Sequence, residues 1–214
     1  MSSRAPTRKR LTAEQRRGAI LDAALEVFAA RGFHGSSIDD IAGAAGISKA
    51  LIYEHFDSKQ DLYLALVGLH TGELFERLAE NAGVGPPSAE RLERGVETFF
   101  RFVEERRDAW RMLFREAADP DVAAVLDRIV AGVTALVAQL IAQDPAVHEA
   151  DDEQIEEAVE MLAQLTVGAV QSLANWWADH QEVPREQLVE IVMGFAWLGL
   201  ERLRAGERWS DGRA

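Results

Sequence analysis

Side chains suited to gripping a polyanion are concentrated in one stretch, residues 36–59, which holds Ser37, Ser48, Lys49, Tyr53, His55 and Lys59. Serine hydroxyls and lysine ammoniums at helix starts suit phosphate oxygens, because free backbone amides and the positive helix end point the same way. The rings of Tyr53 and His55 read from their type alone as either exposed contacts or core, and of Leu51 and Ile52 one could touch a thymine methyl while the other packs in the core. Catalytic chemistry has no comparable concentration. His34, His55, His70, His148 and His180 are scattered, with no His-Glu-x-x-His. Gly43-Ala44-Ala45-Gly46 is not followed by Lys-Ser/Thr, so it is no phosphate loop, and no Gly-x-Gly-x-x-Gly follows a strand. A di-iron carboxylate bundle is excluded by the lack of any Glu-x-x-His pair, and His70 with Glu73 reads as a surface pair rather than a metal site. The sequence predicts no enzyme, no cofactor and no metal.

Two short helices must position these groups. Ser37 is a good N-cap, with Asp40 three residues on to face the free amides. Ile38, Ile41, Ala42 and Ala45 then recur at helical spacing. Gly46 follows as a stop that tolerates positive φ, and Ile47 can pack back on the helix it leaves. Ser48 caps again, and a second helix runs from Lys49 to Glu54. This is the grammar of a helix-turn-helix, whose second helix enters the DNA major groove. An ordinary hairpin of helices inside a core has the same local spacing.

The stretch resembles the DNA-binding module of the tetracycline-repressor (TetR-type) transcription regulators. The family pattern is matched by Ser37, Ile41-Ala42, Ala45-Gly46-Ile47-Ser48, Tyr53, His55-Phe56 and Lys59, with Phe28 and Gly32-Phe33 fitting its first helix and exit. One departure is Ala50, where the family often has Gly or Pro; Ala50-Leu51 places a larger apolar pair on the reading helix. The resemblance implies DNA contact by Ser37, Ser48, Lys49, Ala50, Leu51, Tyr53, His55 and Lys59. It also implies a dimer, which supplies the paired heads a palindromic operator needs.

The net charge of −13 fits DNA only when divided along the chain. Residues 1–60 hold nine Lys/Arg against seven Asp/Glu, and residues 61–214 hold 14 against 29. Positive charge thus sits with the helix-turn-helix, and the acidic remainder repels phosphates. Residues 1–11 form a basic arm with Arg8, Lys9 and Arg10, expected to contact phosphate or the minor groove rather than merely to solubilise. The absence of cysteine leaves no disulfide or thiolate metal site and suits a cytoplasmic location. No apolar run follows the N-terminus, so no signal peptide is expected. Met161–Ala178 is uncharged over 18 residues, yet its Gln164, Thr166, Gln171, Ser172 and Asn175 read as a buried helix rather than a membrane span.

The predicted architecture is all-α: an arm at 1–11, a three-helix head at 12–57, a larger ligand-binding and dimerisation body at 58–206, and a tail at 207–214. Thr12 and Gln15 form a capping-box pattern for the first helix. Further helices are predicted from Lys59 to about Asn81, from Ser88 to about Arg106, around Trp110, over 122–143, from about Ile155 to Trp177, and from Pro184 onward. The last two are apolar on more than one face, so something must cover them. A four-helix bundle between two copies would do so, with Val159, Leu162, Gly168, Leu173, Trp177, Ile191, Phe195, Leu198 and Gly199 at the interface. The alternative is that both helices are central to one copy.

A sensor pocket is expected inside the body. Its candidate walls are Phe99, Phe102, Trp110, Met112, Phe114, Met161, Leu165 and Trp176, with Gln164, Gln171 or Asn175 as orienting polar groups. Each of these taken singly reads equally well as a packing residue. Aromatic- and Met-rich linings suit an elongated apolar effector. The body also looks similar to regulators that sense fatty-acyl ligands. The function expected is a one-component regulator, a repressor released from its operator by an apolar effector. The alternative is a helical carrier or sensor of apolar ligands with a vestigial DNA head.

Overall fold

The computed structural model describes residues 12–81, 88–114, 120–143 and 152–204; side chains are described for these except 114, 120–122, 152–156 and 198–204. The arm at 1–11, the break at 83–87, Pro145 and the tail at 207–214 lie outside the described residues. Among those described the chain is all-α: α1 (Ala13–Arg31), α2 (Ile38–Ala45), α3 (Lys49–Tyr53), α4 (Lys59–Asn81), α5 (Ala89–Glu105), α6 (Arg107–Phe114), α7 (Pro120–Ala142), α8 (Asp152–Trp177) and α9 (Arg185–Arg204).

The helices start where the caps predict. Thr12 Oγ1 accepts from the Gln15 amide at 3.1 Å while the Gln15 side chain accepts from the Thr12 amide at 3.0 Å, closing a capping box on α1. Ser88 does the same single duty for α5, accepting from the Arg91 amide at 3.2 Å. Between α2 and α3 the chain turns through a Schellman motif: the Ile47 amide donates to Ala42 O at 3.1 Å and the Gly46 amide to Gly43 O at 3.2 Å. Gly46 takes φ +64, the left-handed conformation that L side chains avoid.

The chain divides into two compact units between Gly68 and Leu69. The division lies inside α4, not ahead of it as the sequence suggested. The reason is packing: Leu62, Tyr63, Leu66 and Val67, from the first turns of α4, are buried with Ile20, Leu21, Phe28, Ile41, Ile52 and Phe56. Phe28, Phe33 and Tyr63 meet edge-on or stacked, with centroids 5.1–6.0 Å apart. Each such buried side chain stabilises the head by roughly 1.5–3 kcal/mol.

In the second unit α5 packs along α9 and α7 along α8. Its core gathers Phe100, Phe102, Trp110, Ala174, Trp177, Leu188 and Val192. Two ion clusters tie its helices. Glu73 on α4 receives Arg77 at 2.5 Å and Arg106 at 2.9 Å, and Arg77 also holds Glu105 at 2.6 Å. Arg185 on α9 grips Glu97 at 3.1 Å and also Glu104, both on α5. His70, read from the sequence as half of a surface pair, is buried, with Nδ1 3.8 Å from Glu73. One described helix segment, Ala123–Ala142, is long and apolar enough to cross a membrane by length and composition. It is not the 161–178 stretch that the sequence singled out.

Candidate nucleic-acid interface

α3 is only five residues long, and its burial pattern divides its roles cleanly. Ile52 is fully buried and locks the helix to the head core, Leu51 is half-buried, and Ala50 and Tyr53 point out, Tyr53 with 48% of its surface exposed. Phe56 is core, and Arg17 lies over its ring at 4.9 Å. Ser48 Oγ accepts from the Leu51 amide at 3.3 Å, which leaves its own proton available to a phosphate. His55 is half-buried, and its Nε2 is shielded with no hydrogen-bond partner among the described residues.

Three expected contacts are occupied otherwise. Ser37 donates its hydroxyl to Asp40 Oδ2 at 2.6 Å and its amide to the same oxygen at 2.9 Å, so both donors serve the cap rather than a phosphate. These hydrogen bonds, with Arg31 at 2.7 Å, hold the Asp40 carboxyl below the ordinary carboxylate range. Lys59 reaches back to Phe33 O at 2.7 Å and Ser36 O at 3.0 Å, and lies 4.2 Å over the Phe33 ring. Its phosphate role is therefore replaced by that of a brace, because carbonyls left without donors there would be costly. Lys49 is paired with Asp39 of α2 at 2.9 Å. That hydrogen bond and the Asp39 charge raise the Lys49 ammonium's pKa above its ordinary value. Sequence reasoning missed Asp39; its position ten residues before Lys49 carries no local signal, since the turn alone brings them together. Arg8, Lys9 and Arg10 lie outside the described residues.

The expected pocket walls separate into two sets. Phe102, Trp110 and Met112 are buried, Phe99 is half-buried against Trp110 at 5.3 Å, and Trp110 Nε1 donates to Asn175 Oδ1 at 3.0 Å. Gln171 is half-buried on α8, one helical turn before Asn175. Met161, Gln164, Leu165 and Trp176 instead face outward, because they share the opposite stripe of α8 from Ala163, Ala174 and Trp177. They are corrected from interior walls to surface residues. The Phe114 side chain lies outside the described residues.

The interface residues separate too. Met161 (62% exposed), Leu165 (55%), Gly168 and Trp176 line one face of α8, and Ile191 (51%), Gly194 and Phe195 (51%) line one face of α9. Trp177 was expected among them and is instead 1% exposed, its Nε1 donating to Val183 O at 2.8 Å. Val159 is likewise buried, Leu173 is half-buried against the chain's own core, and Leu162 is half-buried, so these three are not bare surface either. The side chains of Leu198 and position 199 lie outside the description.

A three-helix head with a capped reading helix, joined to a larger helical body, defines a helix-turn-helix transcription regulator. Residues 20–66 match the model of the bacterial regulatory proteins of the tetR family, and residues 88–199 match a tetracyclin repressor-like C-terminal domain. The chain belongs to the TetR family, and it is a DNA-binding regulator rather than an enzyme. It is 32% identical over 91% of its length to the HTH-type transcriptional activator FasR of Mycolicibacterium smegmatis, covering 87% of that protein. It is 33% identical to the fatty acid metabolism regulator protein of Bacillus subtilis over 39% of this chain and 43% of that one. The structure superposes on that of a TetR-like transcriptional regulator from Rhodococcus sp. RHA1 with a TM-score of 0.77, at 29% identity, covering 90% of this chain and 99% of the other.

Proposed function

We propose that this regulator binds a palindromic operator as a homodimer and is released by a small apolar effector of acyl-chain character. The observation that carries the dimer is the pair of exposed apolar stripes on α8 and α9, repeating at helical spacing and left uncovered by the described residues. Two copies laid face to face cover all four stripes and deliver two heads at fixed separation, which half-sites one helical turn or a multiple apart require. Each head reads DNA through Ser48, Ala50, Leu51, Tyr53 and His55, and the arm with Arg8, Lys9 and Arg10 adds phosphate contacts. Because His55 Nε2 is shielded, its phosphate contact runs through the other ring nitrogen.

The effector site is assigned to the aromatic group of Phe99, Phe102, Trp110 and Met112, with Gln171 and Asn175 as orienting groups. An acyl chain suits those apolar walls, and the Bacillus subtilis relative's name supports that ligand class. Binding there need only favour one of two head spacings; about 3 kcal/mol of coupling changes occupancy roughly 150-fold. Release from DNA lifts repression where the operator overlaps the polymerase site and withdraws activation where it lies upstream. The sequence suggested repression, whereas the mycobacterial relative is named an activator. Such a protein works where the chromosome is, in the cytoplasm.

The experiment is a gel-shift titration on the promoter fragment of its own gene, with the chain's mass in solution measured alongside. Sequence-selective binding by a dimer that weakens with added long-chain acyl ligand supports the reading. A monomer, or binding indifferent to sequence and salt, sinks it. Loss of Tyr53 and His55 to alanine with no change in DNA affinity would favour the carrier with a vestigial head.

A further inference from the structure

The positive charge that the division of the chain assigned to the helix-turn-helix belongs to residues 1–11, and the described head is not itself basic. From residue 12 to 60 it carries five basic side chains, Arg16, Arg17, Arg31, Lys49 and Lys59, against seven acidic ones. Arg31 is tied to Asp40, Lys59 to two backbone carbonyls, and Arg17 lies over Phe56. Arg16 lies near the start of α1, and Lys49 is the one of the five that begins the reading helix, where it is paired with Asp39. Asp39 sits in the first turn of α2, and Lys49, next in the chain to Ala50, begins α3, the helix that the DNA-binding reading sets in the groove; both are exposed.

We propose that Asp39 is a specificity determinant: it withholds Lys49 from phosphate on DNA of arbitrary sequence and so keeps non-specific affinity low. This rests on the DNA-binding reading above. While paired, Lys49 and Asp39 bring no net charge to the duplex and release no counterion. If Lys49 turns to a phosphate alone, Asp39 is left as a bare carboxylate facing a polyanion, so most of the gain is lost. A base edge that presents an amino group, cytosine N4 or adenine N6, gives Asp39 another donor in the major groove. On such a site Lys49 is freed for the backbone. The pair is solvated and hence easily exchanged, which a reader needs and a structural bridge does not.

The test uses the full-length chain, its Asp39→Asn variant, and Asp39→Asn combined with Lys49→Ala. Each is titrated against one duplex of arbitrary sequence between 50 and 200 mM salt, with folding checked by circular dichroism. Asp39→Asn is expected to steepen the slope of log K against log salt by about 0.9, one extra phosphate contact, which is about a 3.5-fold larger loss over that range. Adding Lys49→Ala should abolish this gain. In selection from a randomised duplex pool, Asp39→Asn should retain a broader set of sequences, each less strongly enriched, than the unaltered chain. An unchanged slope in Asp39→Asn, a gain that survives removal of Lys49, or equal enrichment overturns the gate. If the unaltered chain enriches no sequence from the randomised pool at 50 mM salt, the DNA-binding reading falls and the gate falls with it.

Discussion

At the scale of single residues, the cations of the head show how a side chain's type underdetermines its role. Lys49 and Lys59 both stand at helix starts in the same stretch, yet one meets a carboxylate at the surface and the other two carbonyls of the chain leaving α1. Lys59→Met is expected to destabilise the protein by about 1–3 kcal/mol, since it leaves Phe33 O and Ser36 O without their charged donor. Its salt slope for DNA should match that of the unaltered chain, which urea unfolding together with a salt titration would check. Tyr53→Ala, by contrast, removes a half-exposed ring that the core does not use. It should leave the midpoint of unfolding nearly unchanged and weaken operator binding, by about tenfold if the phenol makes one good contact worth ~1.4 kcal/mol.

At the scale of elements, the turn between α2 and α3 and the two faces of α8 decide most. Gly46 has open space where a Cβ would stand, so replacing it costs only backbone strain at φ +64. Gly46→Val is expected to cost about 1–2 kcal/mol and Gly46→Asn less, readable as a difference in urea midpoint. Trp176 and Trp177 are neighbours with opposite environments. Trp177→Ala should cost about 3–5 kcal/mol by opening a core cavity, whereas Trp176→Ala should change the fold's stability by less than ~0.5 kcal/mol and weaken self-association. The clamp from α4 to α5 predicts an acid response. Burial pushes the Glu73 carboxyl up, but the hydrogen bonds and charges of Arg106 and Arg77 outweigh it and hold the group below the ordinary glutamate range. A group with a depressed folded value stabilises above its unfolded pKa, near pH 4, and loses that contribution as pH falls through the lower folded value. The melting temperature should therefore drop below about pH 4, and Glu73→Gln should flatten that part of the profile.

For the whole molecule, the stripes on α8 and α9 predict behaviour that no single chain shows. If they meet in a dimer, Leu165→Glu with Phe195→Glu should give a monomer by light scattering, with the helical circular dichroism kept. Folding coupled to association also makes the melting temperature rise with protein concentration. Tethering two heads should make operator affinity fall more steeply on dilution than the affinity of one head would.

The helix list, the capping boxes and the turn were legible in the chain because they are local: Thr12 with Gln15, Ser37 with Asp40, and Gly46 all act within four residues. The reading head was legible for the same reason, and its motif pointed to the family that the comparisons then established. What a residue faces was not legible where two neighbouring stripes are both apolar. Periodicity marks α8 as amphiphilic to two sides but cannot say that Trp177 turns inward and Leu165 outward, since that depends on where α9 lies. Nor can spacing say that Asp39 meets Lys49 or that Lys59 braces the exit of α1. Those pairings join residues ten to 26 apart, and only the closing of the helices on one another brings their charges within reach.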